Sequence, residues 1–356
     1  MNRLKIIIAD PSVVYMKMFS KALTELSQNA DIRQTSSGSE ILDLIRQSDY
    51  NVVVLDADIP GSVSSGLIRD VMRVIPKLLL LFTTQPTAVS NDLCAKALTQ
   101  GAFDIMIKPI AKSYDENYDM VKSKLSDILN LIQNEDDNRS LEAKPKAMVV
   151  KNGRAKKDIK PDIILIAAST GGPMALERII TELGAGFPVP MIVVQHMPVH
   201  FIEVLASNLN QKSAVTVKTA EHGDVATAGT VYIAPGGKHI KLMTKSSIIL
   251  DDSPPSGGFR PAADVLFESA ADNLDGMLVW VIILTGMGND GEKGLMRLKT
   301  KQNCFCIAQS KESCVIYGMP RAAVESGLAD EMLSLDDIAA ELKALGEQPR
   351  QPNPNE

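Results

Sequence analysis

Short β-branched runs alternating with longer stretches of helical spacing constrain this chain more than any other feature. From Lys5 the runs KIIIAD, NVVVLD, LLLLFTT and FDIMIKP are separated by mixed segments with apolar residues at helical intervals. This is the pattern of a parallel sheet wrapped by helices. The alternation starts again at Asp162 with DIILIAAS, MIVVQH, VYIAPGG and the continuous run MLVWVIILTG, interleaved with the helix-like PMALERIITEL and PAADVLFESAADNL. Runs this uniformly apolar are strands buried on both faces. The expected fold class is α/β, two doubly wound parallel-sheet domains in one chain, and 356 residues are enough for two cores.

The segment 113–133 places Tyr118, Val121, Leu125, Ile128 and Leu129 at helical intervals, so the first domain is assigned to 1–133 and closes on an amphipathic helix. From Lys144 to Lys160 there are seven basic residues against the single acid Asp158, with Pro145 and Gly153 and no periodicity. The span 134–161 is therefore expected to be a basic flexible linker, a nucleic-acid arm being the sharper alternative. The second domain is assigned to 162–345, and the Pro/Asn-rich tail 346–356 is expected to be disordered.

Charge and composition exclude several classes. With 37 Lys+Arg against 43 Asp+Glu and a net charge of -6, broad phosphate-backbone binding has no footing, and no nucleic-acid partner is expected. The four cysteines (Cys94, Cys304, Cys306, Cys314) make no disulfide framework, and the Cys304/Cys306 spacing lacks the spacer of zinc or redox pairs, so all are expected to be reduced core thiols. No apolar run reaches 18 residues, and the N-terminus opens directly into a strand. No signal peptide or membrane insertion is expected, and the compartment implied is the cytoplasm. The 16 methionines and Trp280 are expected to fill core positions.

In an open parallel sheet, function gathers at the carboxyl ends of strands. Four polar residues stand at such ends in the first domain: Asp10, Asp56, Thr83 and Lys108. Singly they have plain accounts, since an Asp after a strand often caps the next helix and a Lys there points to water. Together they describe a carboxylate flanked by a hydroxyl and an ammonium, which suits a phosphoryl-accepting aspartate.

The second domain carries Ser169 after DIILIAA, followed by Thr170, Gly171, Gly172 and Pro173 opening a helix. Free N–H groups at such a start can hold an anion or oxyanion. An N-cap serine and a phosphate-cradling loop are the competing readings. A nucleophilic serine needs a base, and MIVVQ delivers His196 at its end, 27 positions on, whereas His200, His222 and His239 lie in polar or turn-like segments. The base needs an orienting carboxylate, and the loop after MLVWVIILTG supplies Asp290. A core histidine and a turn-forming aspartate are the plain alternatives. The three suit serine-hydrolase logic, although the order Ser, His, Asp and the absence of G-x-S-x-G disfavour a standard lipase or esterase.

Residues 1 to about 130 resemble response-regulator receiver domains. The resemblance implies Asp56 as phosphoacceptor, Thr83 as switch hydroxyl, Lys108 as the lysine before Pro109, a histidine kinase as phosphodonor, and Mg²⁺ at Asp10 and Asp56. Pro11 stands where receivers carry a second acid, which removes one metal carboxylate; Asp58 follows two residues after Asp56. IAASTGGP, VVQHMP, VYIAPGGKH, FRPAADVLFESAA and ILTGMGNDG resemble, in order, the motifs of the CheB-type protein-glutamate methylesterase family. That resemblance implies Ser169, His196 and Asp290 as a triad, with Thr170, Gly171 and Met287 at the oxyanion. It further implies hydrolysis of glutamyl methyl esters on the cytoplasmic helices of chemoreceptors, deamidation of glutamines there, no cofactor for catalysis, and gating by the receiver. Arg260 would face acidic receptor helices or solvent. The competing functions are a non-catalytic two-component signalling adaptor and a phosphate binder on the STGG loop, which lacks the P-loop lysine.

Overall fold

Most strands form where β-branched runs leave the chain no better way to bury itself, and they gather into two parallel sheets and one antiparallel pair. The computed structural model describes residues 3–75, 78–87, 90–110, 113–138, 160–197 and 199–347. The chain divides between Lys146 and Ala147 into two units. Most of the basic linker (139–159) and most of the tail (348–356) lie outside the described residues.

The first unit runs β1 (Lys5–Ala9), α1 (Val13–Leu26), β2 (Asp31–Thr35), α2 (Gly38–Gln47), β3 (Val52–Asp56), α3 (Leu67–Val74), β4 (Leu79–Thr84), α4 (Ser90–Thr99), β5 (Asp104–Ile107) and α5 (Tyr114–Asn138). Its sheet order is β2-β1-β3-β4-β5, all parallel. All five residues of β3 are buried, as a central strand covered on both faces requires. The sequence DIRQT of β2 shows no apolar run because it is an edge strand, largely open to solvent. Helix α5 buries Tyr118, Val121, Leu125, Ile128 and Leu129, the five residues at helical spacing, and runs on to Asn138, five residues beyond the expected end.

The second unit runs β6 (Ile163–Ala168), α6 (Gly172–Ile180), β7 (Met191–Gln195), α7 (Val199–Lys212), β8 (Thr216–Thr219), β9 (Thr230–Ile233), β10 (His239–Leu242), β11 (Ile248–Asp251), α8 (Ala263–Asn273), β12 (Leu278–Ile283), α9 (Glu292–Lys301), β13 (Asn303–Gln309), α10 (Met319–Glu325), β14 (Glu331–Leu333) and α11 (Leu335–Glu347). Seven parallel strands lie in the order β14-β13-β12-β6-β7-β9-β8, and β10 and β11 form a separate antiparallel pair. Alternate residues of β6 feed two cores. Ile164, Ile166 and Ala168 pack with α6, α7 and α11, while Ile163, Leu165 and Ala167 pack with α8, α9 and α10. Each such Leu or Ile buried contributes about 1.5–3 kcal/mol relative to exposure.

Two expectations are corrected. His239 is not in a turn-like segment: it opens β10 and is fully buried, because its imidazole bonds the backbone of the following loop instead of water. Among the described methionines, Met18, Met106, Met191 and Met319 are buried and Met16, Met72, Met197 and Met277 half-buried, but Met120, Met174, Met243, Met287, Met296 and Met332 are exposed, because helix faces, loops and the edge strand β14 take them to the surface. Trp280 is buried. All four cysteines are free; three are buried and Cys314 is half-buried.

Candidate active site

Ser169 follows β6, the strand from which the second sheet grows both ways, with β12 on one side and β7 on the other. Such a reversal opens a crevice at the carboxyl ends of the strands. Register sets the neighbours: Ala168 pairs with Gln195, His196 N–H donates to Ala168 O (3.0 Å), and Ser169 N–H donates to Thr285 O (3.0 Å). The turn that follows requires glycine twice. Gly171 has φ +78°, in the left-handed region, and a Cβ at Gly172 would lie 1.9 Å from Gln195 Oε1. Gln195 Nε2 in turn donates to Ser169 O (2.8 Å) and His196 O (3.1 Å), tying the two strand ends together.

His196 Nε2 meets Asp290 Oδ2 at 2.8 Å, with both side chains under 10% exposed. An ionised carboxylate only accepts, so this contact assigns the proton to Nε2 and leaves the lone pair on Nδ1. That Nδ1 is buried and has no partner among the described residues. Ser169 Oγ therefore makes no hydrogen bond to it here; such bonds commonly tighten only when substrate is bound. The face of the imidazole is covered by Phe259, with ring centroids 4.1 Å apart and planes 6° from parallel.

Asp290 has a second task. It accepts the N–H groups of Ala263 (2.6 Å) and Asp264 (3.0 Å), capping α8, whose N-cap residue Ala262 has no side chain able to do so. Burial pushes the Asp290 carboxyl up, but the bonds from His196 and the two amides prevail and hold it below the usual carboxylate range. The capping is reciprocal, because Asp264 Oδ1 accepts the N–H groups of Gly291 (3.0 Å) and Gly294 (2.8 Å) at the start of α9. Burial, with the Asp290 charge adding to it, raises Asp264 above its ordinary value despite those amides.

The N–H groups of Thr170, Gly171 and Met287 donate to no other described residue. Gly286, immediately before Met287, abuts Ser169: a Cβ there would lie 2.8 Å from Ser169 Cβ. Arg260 is exposed, and its guanidinium donates to the carbonyls of Asp252 (3.2 Å) and Ser253 (3.3 Å).

In the first unit the four strand-end residues also meet. Lys108 Nζ lies 2.7 Å from Asp10 Oδ2 and 2.6 Å from Asp56 Oδ2, and Thr83 Oγ1 donates to Asp56 Oδ2 (2.9 Å). All four are buried, Lys108 included, so its ammonium faces two carboxylates and not water. Asp10 Oδ1 accepts the Ser12 N–H (2.8 Å) and Asp56 Oδ1 the Asp58 N–H (3.0 Å). Burial pushes the Asp10 carboxyl above its usual range, with Lys108 and Ser12 pulling against it. Asp58 itself is exposed. Two buried carboxylates converging on one point are the donor chemistry of a hard divalent cation, and Pro11 adds no third. Among the described residues no group of three or more His, Cys, Asp or Glu is arranged to hold a metal.

Of the residues the sequence marked, His196 meets Asp290, and Asp10, Asp56, Thr83 and Lys108 meet one another, while Ser169 stands beside His196 in register without bonding to it; Gln195, Phe259, Asp264 and Thr285 were passed over. A polar residue ending an otherwise apolar strand was a signal for Gln195. Phe259, an aromatic in the glycine-rich loop SGGFR, gave only a faint one.

Fold and site together define a two-part protein. A receiver-like five-stranded unit precedes a larger α/β unit of hydrolase type. Residues 6–114 match the family described as response regulator receiver domain, and residues 164–342 match CheB methylesterase. A protein-glutamate methylesterase/protein-glutamine glutaminase of Geobacillus kaustophilus is 36% identical over 97% of this chain and 99% of its own length. The Bacillus subtilis protein of the same description is 33% identical over 98% and 99%. The crystal structure of the Thermotoga maritima CheB methylesterase catalytic domain matches with TM-score 0.50 and 40% identity, covering 52% of this chain and all of that one. The chain belongs to the CheB methylesterase family, with an N-terminal receiver domain. No helix among the described residues is long and apolar enough to cross a membrane.

Proposed function

We propose that this protein is a cytoplasmic, receiver-regulated esterase that demethylates glutamyl methyl esters on chemoreceptor helices, with Ser169 as nucleophile, His196 as base and Asp290 as its orienting carboxylate. The observation that carries the reading is the buried His196–Asp290 pair, one strand away from Ser169 in register, with a lone pair free on Nδ1. The names of the relatives supply the substrate class.

The chemistry follows from the proton inventory. Ser169 Oγ attacks the ester carbonyl as its proton passes to His196 Nδ1, while Asp290 stabilises the imidazolium through Nε2. The N–H groups of Thr170, Gly171 and Met287 are the candidate donors to the tetrahedral oxyanion. Collapse breaks the ester C–O bond, and His196 returns the proton to methanol as it leaves. Water then attacks the Ser169 acyl ester with His196 again as base, and glutamate is released. A glutamine side chain follows the same course with ammonia leaving, which accounts for a paired glutaminase activity.

In the receiver, Asp56 would accept a phosphoryl group from a histidine kinase, and Thr83 and Lys108 would follow its charge. Mg²⁺ held by Asp10 and Asp56 would neutralise phosphoryl oxygens. Methanol release from methylated receptor membranes tests the hydrolytic reading. Wild type is expected to release methanol, and Ser169→Ala to lower the rate on the order of 10³-fold or more. Equal release by Ser169→Ala would sink the assignment of the nucleophile.

A further inference from the structure

We propose that Phe259 is a positioning residue for the hydrolytic centre: its ring clamps the plane of the His196 imidazole, keeping Nδ1 turned to the nucleophile while Nε2 stays on Asp290. The proposal rests on the assignment of His196 as base and deepens it.

The need for a clamp comes from how His196 is held. Among the described residues its ring has one hydrogen bond, at Nε2, and the other nitrogen has no partner. A ring fixed at its far end can still twist about the Cβ–Cγ bond, whose axis passes close to Nε2, because rotation about this sp³–sp² bond lies in a broad well. Such a twist preserves the Asp290 contact and swings Nδ1 out of line, so the carboxylate alone does not orient the base. A second constraint must act on the plane of the ring, and it must not hydrogen-bond to Nδ1, whose lone pair the reaction needs. A phenyl face meets both conditions. Phe259 lies 4.1 Å away and 6° from parallel, where any twist of the imidazole drives one edge into the phenyl ring. The same face can favour the imidazolium formed during acylation, through the negative potential of the aromatic ring.

Phe259 is itself held in place, as a clamp has to be. Ser256 and Phe259 exchange backbone hydrogen bonds of 3.0 and 2.9 Å across Gly257 and Gly258, whose φ angles of +59° and +87° close the turn. Buried His239 accepts the Ala262 N–H through Nδ1 (3.2 Å), and its Nε2 donates to Pro254 O (3.1 Å), fastening both ends of the loop. Arg260 fastens it again through Asp252 and Ser253, and Gly237 N–H donates to Arg260 O (3.1 Å). Three tethers of this kind exceed what an idle surface loop requires.

The test compares full-length wild type, Phe259→Ala, Phe259→Leu, Phe259→Tyr and Ser169→Ala on a small activated ester, which reads the chemistry apart from receptor docking. Phe259→Ala is expected to lower kcat at least tenfold with KM within twofold. Phe259→Leu restores volume but no flat face and is expected to stay low, whereas Phe259→Tyr is expected to recover kcat to within about threefold. The His196 ring protons of wild type are expected to show an upfield ring-current shift in NMR spectra that disappears in Phe259→Ala, a readout that loss of stability elsewhere would not produce. An unchanged kcat in Phe259→Ala, full recovery in Phe259→Leu, a rise in KM alone, or no ring-current shift would each overturn the clamp. Turnover surviving in Ser169→Ala would instead overturn the underlying esterase mechanism, whatever the Phe259 variants do.

Discussion

Asp290 does two jobs with one carboxylate, orienting His196 and capping α8. The two separate by substitution. Asp290→Asn keeps an oxygen for the amides of α8 but cannot hold the same imidazole tautomer, so kcat is expected to fall on the order of 10³-fold or more with little change in Tm. Asp290→Ala is expected to lose kcat to the same extent and about 1 kcal/mol of stability besides, the ordinary cost of removing an N-cap. Steady-state kinetics beside thermal melting of the two variants check the distinction; equal Tm values would show that the cap is dispensable. At this scale Ser169, His196 and Asp290 were legible in the sequence because each follows an apolar strand, where the backbone must emerge. Phe259 was not, because it lies 63 positions from His196 (259 minus 196), on a loop whose path depends on His239 and Arg260.

Between elements, the reciprocal capping of α8 by Asp290 and of α9 by Asp264 puts two carboxylates at facing helix starts with opposite displacements. The sign of each follows from linkage. Asp290, held below the ordinary 3.8, stabilises the fold at every pH above that value, and its contribution is lost only as pH falls through its lower folded value. Asp264, raised above 3.8, binds a proton more readily folded than unfolded, so its ionisation costs stability as pH rises from the unfolded value through the folded one. Carboxyl ¹³C shifts followed against pH are expected to show Asp264 titrating first on acidification and Asp290 last. The reverse order would mean that the His196 bond does not dominate the Asp290 environment. Element positions were legible wherever apolar runs are long, as in β3, β6 and β12. They were not for β2, β8, β10, β11 and β14, strands of three to five residues in which at most three consecutive apolar positions occur, too few to stand out from a loop.

For the whole molecule, the receiver matters only if its state alters the hydrolytic unit, which requires different interactions in two states. Under the proposed function, a phosphodonor is expected to raise methanol release by wild type and to have no effect on Asp56→Ala. A fragment spanning 162–345 is expected to release methanol faster than the full chain. A phosphodonor response that persists in Asp56→Ala would remove Asp56 from the switch. Titration of the receiver with Mg²⁺, read by fluorescence or NMR, is expected to show weaker binding than in Pro11→Asp, since that substitution adds a carboxylate to the two at Asp10 and Asp56.

The sequence by itself determined that there are two parallel-sheet units, which strands are central, and which polar residues emerge at strand ends. These are consequences of local pattern, since an apolar run must be buried and its end must turn outward. Only the tertiary structure decided which of those residues meet and in what state. The strand order carried Ser169 beside His196, the start of α8 gave Asp290 its second use, burial turned Lys108 from a solvated cation into the counter-charge of two carboxylates, and a distant loop laid Phe259 on the imidazole. Distance along the chain carries no record of such contacts, because they are set by register and packing across elements.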